Sequence, residues 1–412
     1  MGSTLKKKTM FKLFHLIVAT IVLVCNGNGI FAMDSFLHAQ LSTGNQIFAG
    51  KLAHELLSQK PDKSFIVSSL SALLPFAQLA VFSKERVLEE LLKLLNVQNK
   101  DQITDALPLI VAELKRPKNV TMTIATKFYA NIGNPLSQNF ICDSKTYFDA
   151  DGETLDFSKN HLAADNINKW VAKKTDDMIT NIVTPNMFNS NTRLVLANAI
   201  SLTADWLYPF DVHSTYEAQF TKVNGHQVTV KMMYQTNDFN YYAQSDFQVL
   251  EMFYVGKDIS FLTILPNDAN NLLNIAKSLS DPDFVIYVME NLSPTKIEVK
   301  IPKFELTSRI DLKDVLKKNG VTAIFQSGTT GLEDILENKE SIHVTDALQV
   351  ARIIVDEVHT QAAAATVVIA GLKMSPQYNK MLSFNADRPF VFSILNRRKR
   401  VMLFNGFYNG PQ

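Results

Sequence analysis

Lys373 closes a run of fifteen residues, 358–372, that contains no carboxylate, Lys, Arg or Pro. A basic side chain placed after such a run suits one kind of chemistry. On an exposed loop it could be the cleavage residue for a protease whose specificity pocket ends in a carboxylate. The run is Glu357-Val-His-Thr-Gln-Ala-Ala-Ala-Ala-Thr-Val-Val-Ile-Ala-Gly-Leu-Lys-Met374, and its composition is equally compatible with ordinary core. Four alanines favour helix, whereas Val367, Val368 and Ile369 are β-branched and favour strand. The run is shorter than the about 20 apolar residues of a membrane span. A buried strand of about 5–6 residues would use only part of it.

Other chemistry-bearing groups do not complete a catalytic signature. The chain lacks a Gly-x-Ser-x-Gly elbow, a phosphate-binding loop and a Cys-x-x-Cys pair. His54-Glu55-Leu-Leu-Ser58 ends where the zinc-protease motif needs a second His, and reads as a helix-surface pair. Asp176 and Asp177 are neighbours on a predicted helix, so their side chains diverge and make a poor acid–base couple. Arg397-Arg398-Lys399-Arg400 lies between two apolar strands and reads as a solvated hairpin loop. No enzyme activity, cofactor or metal site is expected.

The elements that must position the 357–374 run come from a chain of 412 residues with 46% hydrophobic and 20% charged residues. That composition is globular, and a net charge of +1 provides no broad field for nucleic acid or membrane. Lys6, Lys7, Lys8 and Lys12 precede an apolar stretch over 14–24, which predicts a signal peptide within 1–32, cleaved after Gly27 or Ala32. The mature chain is expected to be secreted. Cys25 would leave with the signal, making Cys142 a lone thiol, expected to be buried and inert. Asn119-Val-Thr121 and Asn291-Leu-Ser293 are glycosylation acceptor patterns. Apolar spacing predicts helices over 44–57, 71–82, 84–95, 102–114 with a break or kink at Pro108, and 165–179 with Trp170 facing inward. The second half predicts strands over 193–202, 249–253, 259–265, 297–301, 351–355, 390–395 and 401–404. Helices over 272–279 and 312–319 lie between them, the latter capped by Gly320. With no linker and no repeat, this predicts one α+β domain on large antiparallel sheets.

Seven blocks in order resemble the serpin family across nearly all of the chain after the signal. They are Phe65-Ile-Val-Ser-Ser-Leu-Ser71, Asn198-Ala-Ile-Ser-Leu-Thr-Ala-Asp-Trp206 followed by Pro209-Phe210 and Thr215, and Met232-Met233-Tyr-Gln235 with Phe239 and Tyr242. The others are Ile264-Leu-Pro-Asn267, Ile301-Pro-Lys-Phe304, Ala386-Asp-Arg-Pro-Phe-Val-Phe392 and Phe404-Asn-Gly406. The resemblance implies a serpin domain over 36–412, with about eight or nine helices, and a hinge with an exposed reactive-centre loop over 357–383. In the family, cleavage falls seventeen residues along from the hinge glutamate. With Glu357 in that role, the scissile bond is Lys373–Met374. The hinge would comprise Glu357, His359, Thr360, Ala362, Ala363, Ala364, Ala365 and Thr366. A sheet-opening cluster would comprise Ser68, Ser71, Asn198, Gln349 and Trp206.

The hinge residues suit strand insertion. Thr360, Ala362, Ala364, Thr366, Val368 and Ala370 would share one strand face. All can enter a sheet without burying a charge, and no Pro removes a ladder donor. The resemblance implies a secreted, monomeric suicide inhibitor of a trypsin-like serine protease, held as a covalent acyl complex. It is similar to insect members, which restrain protease cascades in immunity and melanisation. A heparin-type polyanion is not implied, since 102–114 carries Asp105 and Glu113 in place of a basic stripe. Three positions depart from the family pattern. His359 stands where the hinge usually has Gly, which keeps a non-inhibitory carrier as the alternative. Gln349 stands where many members have His. The stretch 374–384 is longer than usual.

Overall fold

The computed structural model describes residues 27–114, 120–358 and 381–411. Helix α1 (Gly27–Gln59) places Leu41, Phe48, Leu52 and Leu57 at helical spacing into the core. It starts well before residue 44 and runs through Ala32, one of the two expected cleavage points. Strand β1 (Phe65–Val67) leads through Ser68 into α2 (Ser69–Phe82), which is buried on nearly every side. Helix α3 (Glu85–Leu95) is amphipathic, with Val87, Leu91 and Leu95 inward, and ends on Asn96 in a left-handed conformation. Helix α4 (Lys100–Leu114) continues through Pro108 without the expected break. Burial of Ile103, Ala106, Leu107 and Ile110 along it outweighs the one backbone hydrogen bond that proline removes.

The first half contains two strands that its helical periodicity hid. They are β2 (Val120–Asn131) and β3 (Asp151–Leu155), with α5 (Gln138–Phe148) between them. In β2 the run 125–130 is buried on both faces, so it lacks the alternation of a half-buried strand. Cys142 is exposed, against expectation. Helix α5 buries Phe140, Ser144 and Phe148 on one stripe, which turns residue 142 outward. Helix α6 (Asn160–Lys174) lies earlier than the predicted 165–179. Asp176 and Asp177 therefore fall beyond it, both with positive φ, in a turn and not on a helix. Trp170 is half-buried, packing edge-on against Tyr129.

The second half supplies β4 (Leu194–Ala204), β5 (Tyr216–Thr221), β6 (Gln227–Ala243), β7 (Phe247–Phe253) and β8 (Ile259–Pro266). Helices α7 (Leu272–Ser278) and α8 (Pro282–Asn291) follow, then β9 (Ser293–Pro302), β10 (Phe304–Asp311) and α9 (Leu312–Lys318). Gly320, with φ of +87°, receives the chain after α9, and its N–H donates to the Lys317 carbonyl. Strands β11 (Val344–Val355), β12 (Leu382–Asn385), β13 (Phe390–Asn396) and β14 (Val401–Tyr408) complete the described fold. Residues 397–400 form the predicted hairpin turn, where Arg397 and Arg398 pair with Glu251 and Asp258 at 3.3 Å each.

The strands form two sheets. One runs β1-β14-β13-β8-β7-β6-β9-β12, with β5 also on β6; the other runs β10-β11-β4-β2-β3. Pairing is antiparallel except at β4–β11, β2–β3 and β9–β12. The main core lies between the sheets and against helices α1 to α4. Gly406 in β14 is required there, because a Cβ would sit 2.2 Å from the Phe392 ring. The other face of the five-stranded sheet carries a smaller core, in which Val195, Ala197, Leu348 and Val350 meet Ile167 and Val171 of α6. The single α+β domain and the mostly antiparallel sheets match the sequence expectation. Among the described residues there are nine α-helices.

Candidate functional site

The seam between β4 and β11 is the unusual feature of the five-stranded sheet. Its strands run parallel, with Leu194 to Leu202 facing Val344 to Ile353, while β10 and β2 flank the pair antiparallel. Side chains alternate across it. Asn198 and Gln349 are register partners and both turn toward the main core, on the side of α2. Two polar side chains at the centre of a sheet need partners, because an unbonded buried amide costs about 1–3 kcal/mol.

The partners come from the start of α2. Ser68 is its N-cap, with the hydroxyl accepting from Ser71 N–H at 3.1 Å and donating to the Leu403 carbonyl at 2.6 Å. Gln349 clasps the Ser68 backbone. Its Oε1 accepts from Ser68 N–H and its Nε2 donates to the Ser68 carbonyl, both at 2.9 Å. Nε2 also donates to Asn198 Oδ1 at 3.0 Å, which accepts from Ser71 Oγ at 2.6 Å. Asn198 Nδ2 completes the group by donating to Thr126 Oγ1 at 3.0 Å. All five residues are buried. The cluster joins β2, β4 and β11 to α2 and, through Leu403, to the nine-stranded sheet.

Trp206 does not join this cluster. Eight residues along from Asn198, about 26 Å of extended chain, it lies beyond the end of β4. There it stacks on Tyr254 with ring centroids 4.5 Å apart and packs edge-on against Phe210 and Phe261. Its Nε1–H donates to the Asp356 carbonyl at 2.8 Å. Phe210 N–H donates to the Glu357 carbonyl, also at 2.8 Å. The Glu357 carboxylate is buried at 4% exposure, accepting from Thr215 Oγ1 at 2.8 Å and pairing with Lys303 Nζ at 2.6 Å. Burial raises its pKa, but the bonds from Lys303 and Thr215 and the Lys303 charge outweigh that and hold it below its ordinary value. The chain is thus pinned where it leaves β11, and Val358 beyond the pin is exposed.

Of the sequence-predicted site residues, the structure brings Ser68, Ser71, Asn198 and Gln349 together and sets Trp206 with Glu357. His359, Thr360, Ala362, Ala363, Ala364, Ala365, Thr366, Lys373, Met374 and Asn119 lie outside the described residues. Asn291 is exposed as the last residue of α8, with Nδ2 donating to the Tyr287 carbonyl. Sequence reasoning missed Thr126, Lys303 and Thr215 as site residues. The last two sat inside quoted blocks. The signal that could have found Lys303 is the need of a buried carboxylate for a cation. Among the described residues no three His, Cys, Asp or Glu could hold a metal, and no helix is long and apolar enough to cross a membrane.

Comparison with known proteins agrees with this geometry. The family model described as Serpin (serine protease inhibitor) matches residues 43–411. Antichymotrypsin-2 of Bombyx mori is 33% identical over 90% of this chain and 98% of its own length. Antitrypsin of the same insect is 30% identical over 97% and 99%. The crystal structure of Serpin48, described as a highly specific serpin of the insect Tenebrio molitor, superposes with a TM-score of 0.80 at 28% identity, covering 91% of this chain and 99% of that one.

Proposed function

This chain belongs to the serpin family of serine protease inhibitors, and from that premise we propose that it is a secreted, single-use trap for trypsin-like serine proteases, cut at Lys373–Met374. The observation that carries the reading is the parallel β4–β11 seam with the Glu357 pin at its end. A strand that turns back after Glu357 runs antiparallel to β11 and, entering the seam, antiparallel to β4 as well. One parallel ladder would become two antiparallel ones, the slightly more stable pairing.

The protease serine attacks the Lys373 carbonyl, forms an acyl-enzyme and releases the amine of Met374. The cut hinge enters the seam and carries the protease with it. Distortion of the enzyme's triad and oxyanion hole then blocks the water attack that would free it. The inhibitor supplies no catalytic group. Two relatives of near-identical coverage are named for different targets, chymotrypsin and trypsin. We assign target choice to the loop, where Lys373 suits a pocket that ends in a carboxylate. Signal removal after Gly27 or Ala32, glycans on Asn119 and Asn291 and a role in an extracellular immune cascade complete the proposal. N-terminal sequencing of the secreted chain tests the first of these.

The test of inhibition is a denaturing gel after mixing with trypsin. An SDS-stable band of higher mass and a released peptide beginning at Met374 are expected, and both should vanish in Lys373→Ala. Clean cleavage without the band would overturn the reading. A second reading, a non-inhibitory carrier, is favoured by one observation besides His359. A cavity of about 230 Å³ between α1, α8 and the β13–β14 hairpin is lined by Arg397, Arg400, Glu290 and Gln46, whose buried Nε2 has no partner among the described residues. Loop cleavage separates the two readings: it raises the melting temperature sharply if the strand inserts and leaves it unchanged in a carrier.

A further inference from the structure

A larger cleft, about 530 Å³, opens where β10, β6 and the last described residues meet. Its size is that of a site for a small organic ligand. The floor is apolar: Val230, Phe304 and Leu306 are buried, and the Phe304 ring stacks on Tyr408 at 4.5 Å. The rim is cationic. Lys231 and Lys303 are held side by side because the Lys303 N–H donates to the Lys231 carbonyl at 2.8 Å. Lys303 spends its charge on Glu357. Lys231 faces Glu217 across the β5–β6 register, yet no described carboxylate lies within ion-pair distance of it. The one carboxylate of the lining among the described residues, Glu305, is neutralised by Arg352 at 2.8 Å. A cation with no ion-pair partner among the described residues, beside buried apolar side chains, is complementary to a ligand with one negative end and an apolar body.

We propose that this cleft binds a small amphipathic carboxylate, with Lys231 and Lys303 taking the charge and Val230, Phe304 and Leu306 taking the body. Because Lys303 also holds Glu357, a bound anion competes with the hinge carboxylate for the same ammonium. Occupancy would thereby loosen the pin and speed strand entry. This second step rests on the protease-trap reading; the binding step does not.

Titrating the secreted chain calorimetrically with sodium dodecanoate tests the site. One saturable event is expected, weakened by at least about tenfold in Lys231→Glu and in Thr229→Trp, which fills the cleft, and unchanged in Arg400→Glu at the other cavity. Dodecanol, with the same body and no charge, should bind at least about tenfold more weakly. Absence of saturable binding, equal binding of dodecanol, or loss in Arg400→Glu with retention in Lys231→Glu would overturn the site. Trypsin trapping with and without dodecanoate tests the coupling. A faster trapping rate supports it and an unchanged rate overturns it. A chain that binds dodecanoate but never traps trypsin overturns the coupling and the trap reading while the site stands. A chain that traps trypsin but binds no dodecanoate overturns the site alone.

Discussion

At the buried middle of the β4–β11 seam the closing groups are neutral amides and hydroxyls, all packed away from solvent: Asn198, Gln349, Ser68, Ser71 and Thr126. At the outer end the closing groups are a carboxylate, an ammonium and an indole: Glu357, Lys303 and Trp206. Both groups hold the same strands, yet they should respond differently to their surroundings. Neutral hydrogen bonds in the core have no proton to lose between mild acid and mild base, and salt does not screen them. The Glu357–Lys303 pair has a titratable group and a half-exposed cation, so it can be loosened from outside. That division lets the outer contact be loosened from solution while the neutral cluster stays closed.

Breaking the neutral cluster should cost most. Asn198→Ala strands Ser71 Oγ and Thr126 Oγ1 and leaves Gln349 Nε2 with the Ser68 carbonyl alone, and a loss of about 3 kcal/mol is expected in the denaturant midpoint, equal at pH 7 and pH 5. A loss below about 1 kcal/mol would mean that the cluster is not what closes the seam.

Glu357→Gln should cost less, about 1–2 kcal/mol at pH 7, because the half-exposed Lys303 can return to water. Its effect carries a pH signature. The folded pKa of Glu357 lies below its ordinary value of 4.5. Its charge therefore stabilises above that value, and the contribution is lost as pH falls through the lower folded value. Wild type and variant should converge in acid. A gap that stays constant below pH 4 would show that the charge is not what pins the hinge.

Gln349→His transfers titration to the buried cluster. Burial would push that imidazole below its usual value near 6.5, so the unfolded chain binds the proton first and stability falls as pH drops through about 6.5. An extra loss of about 1 kcal/mol between pH 7.5 and pH 5.5, absent from wild type, is expected in the same denaturant measurement. Trp206→Phe should have the smallest effect. A phenyl ring can still pack on Tyr254 and Phe261, and the hydrogen bond to the Asp356 carbonyl is lost with part of the buried indole, about 1 kcal/mol by thermal melt.

Much of this site was legible in the chain. Ser68, Ser71 and Asn198 stand inside recognisable blocks, and Gln349 takes a position where many serpins have His, so four of the five members of the neutral cluster are readable from the chain. The outer clamp was only half legible. Glu357 and Trp206 are readable from the chain, but the structure sets Trp206 apart from the neutral cluster it was expected to join, because eight residues of chain separate it from Asn198. Thr126 was invisible because β2 itself was hidden: buried on both faces over 125–130, it showed no alternation to reveal a strand. Cys142 and the Asp176–Asp177 pair were misplaced for a related reason, since each depends on where a helix face or end falls.

Local physics, written residue by residue, determined the amphipathic helices, the alternating strands, the Gly320 cap and a hinge run free of charge and proline. Those features follow from spacing and side-chain type alone, whereas Lys373 as the residue offered for cleavage is what the serpin resemblance implies. The tertiary structure decided which strands lie side by side and which far-off side chains meet at the seam. The Glu357 carboxylate finds Lys303 54 residues away and Thr215 142 residues away. Such pairings depend on sheet order and register, which arise when the whole core packs at once and which no local window of sequence contains.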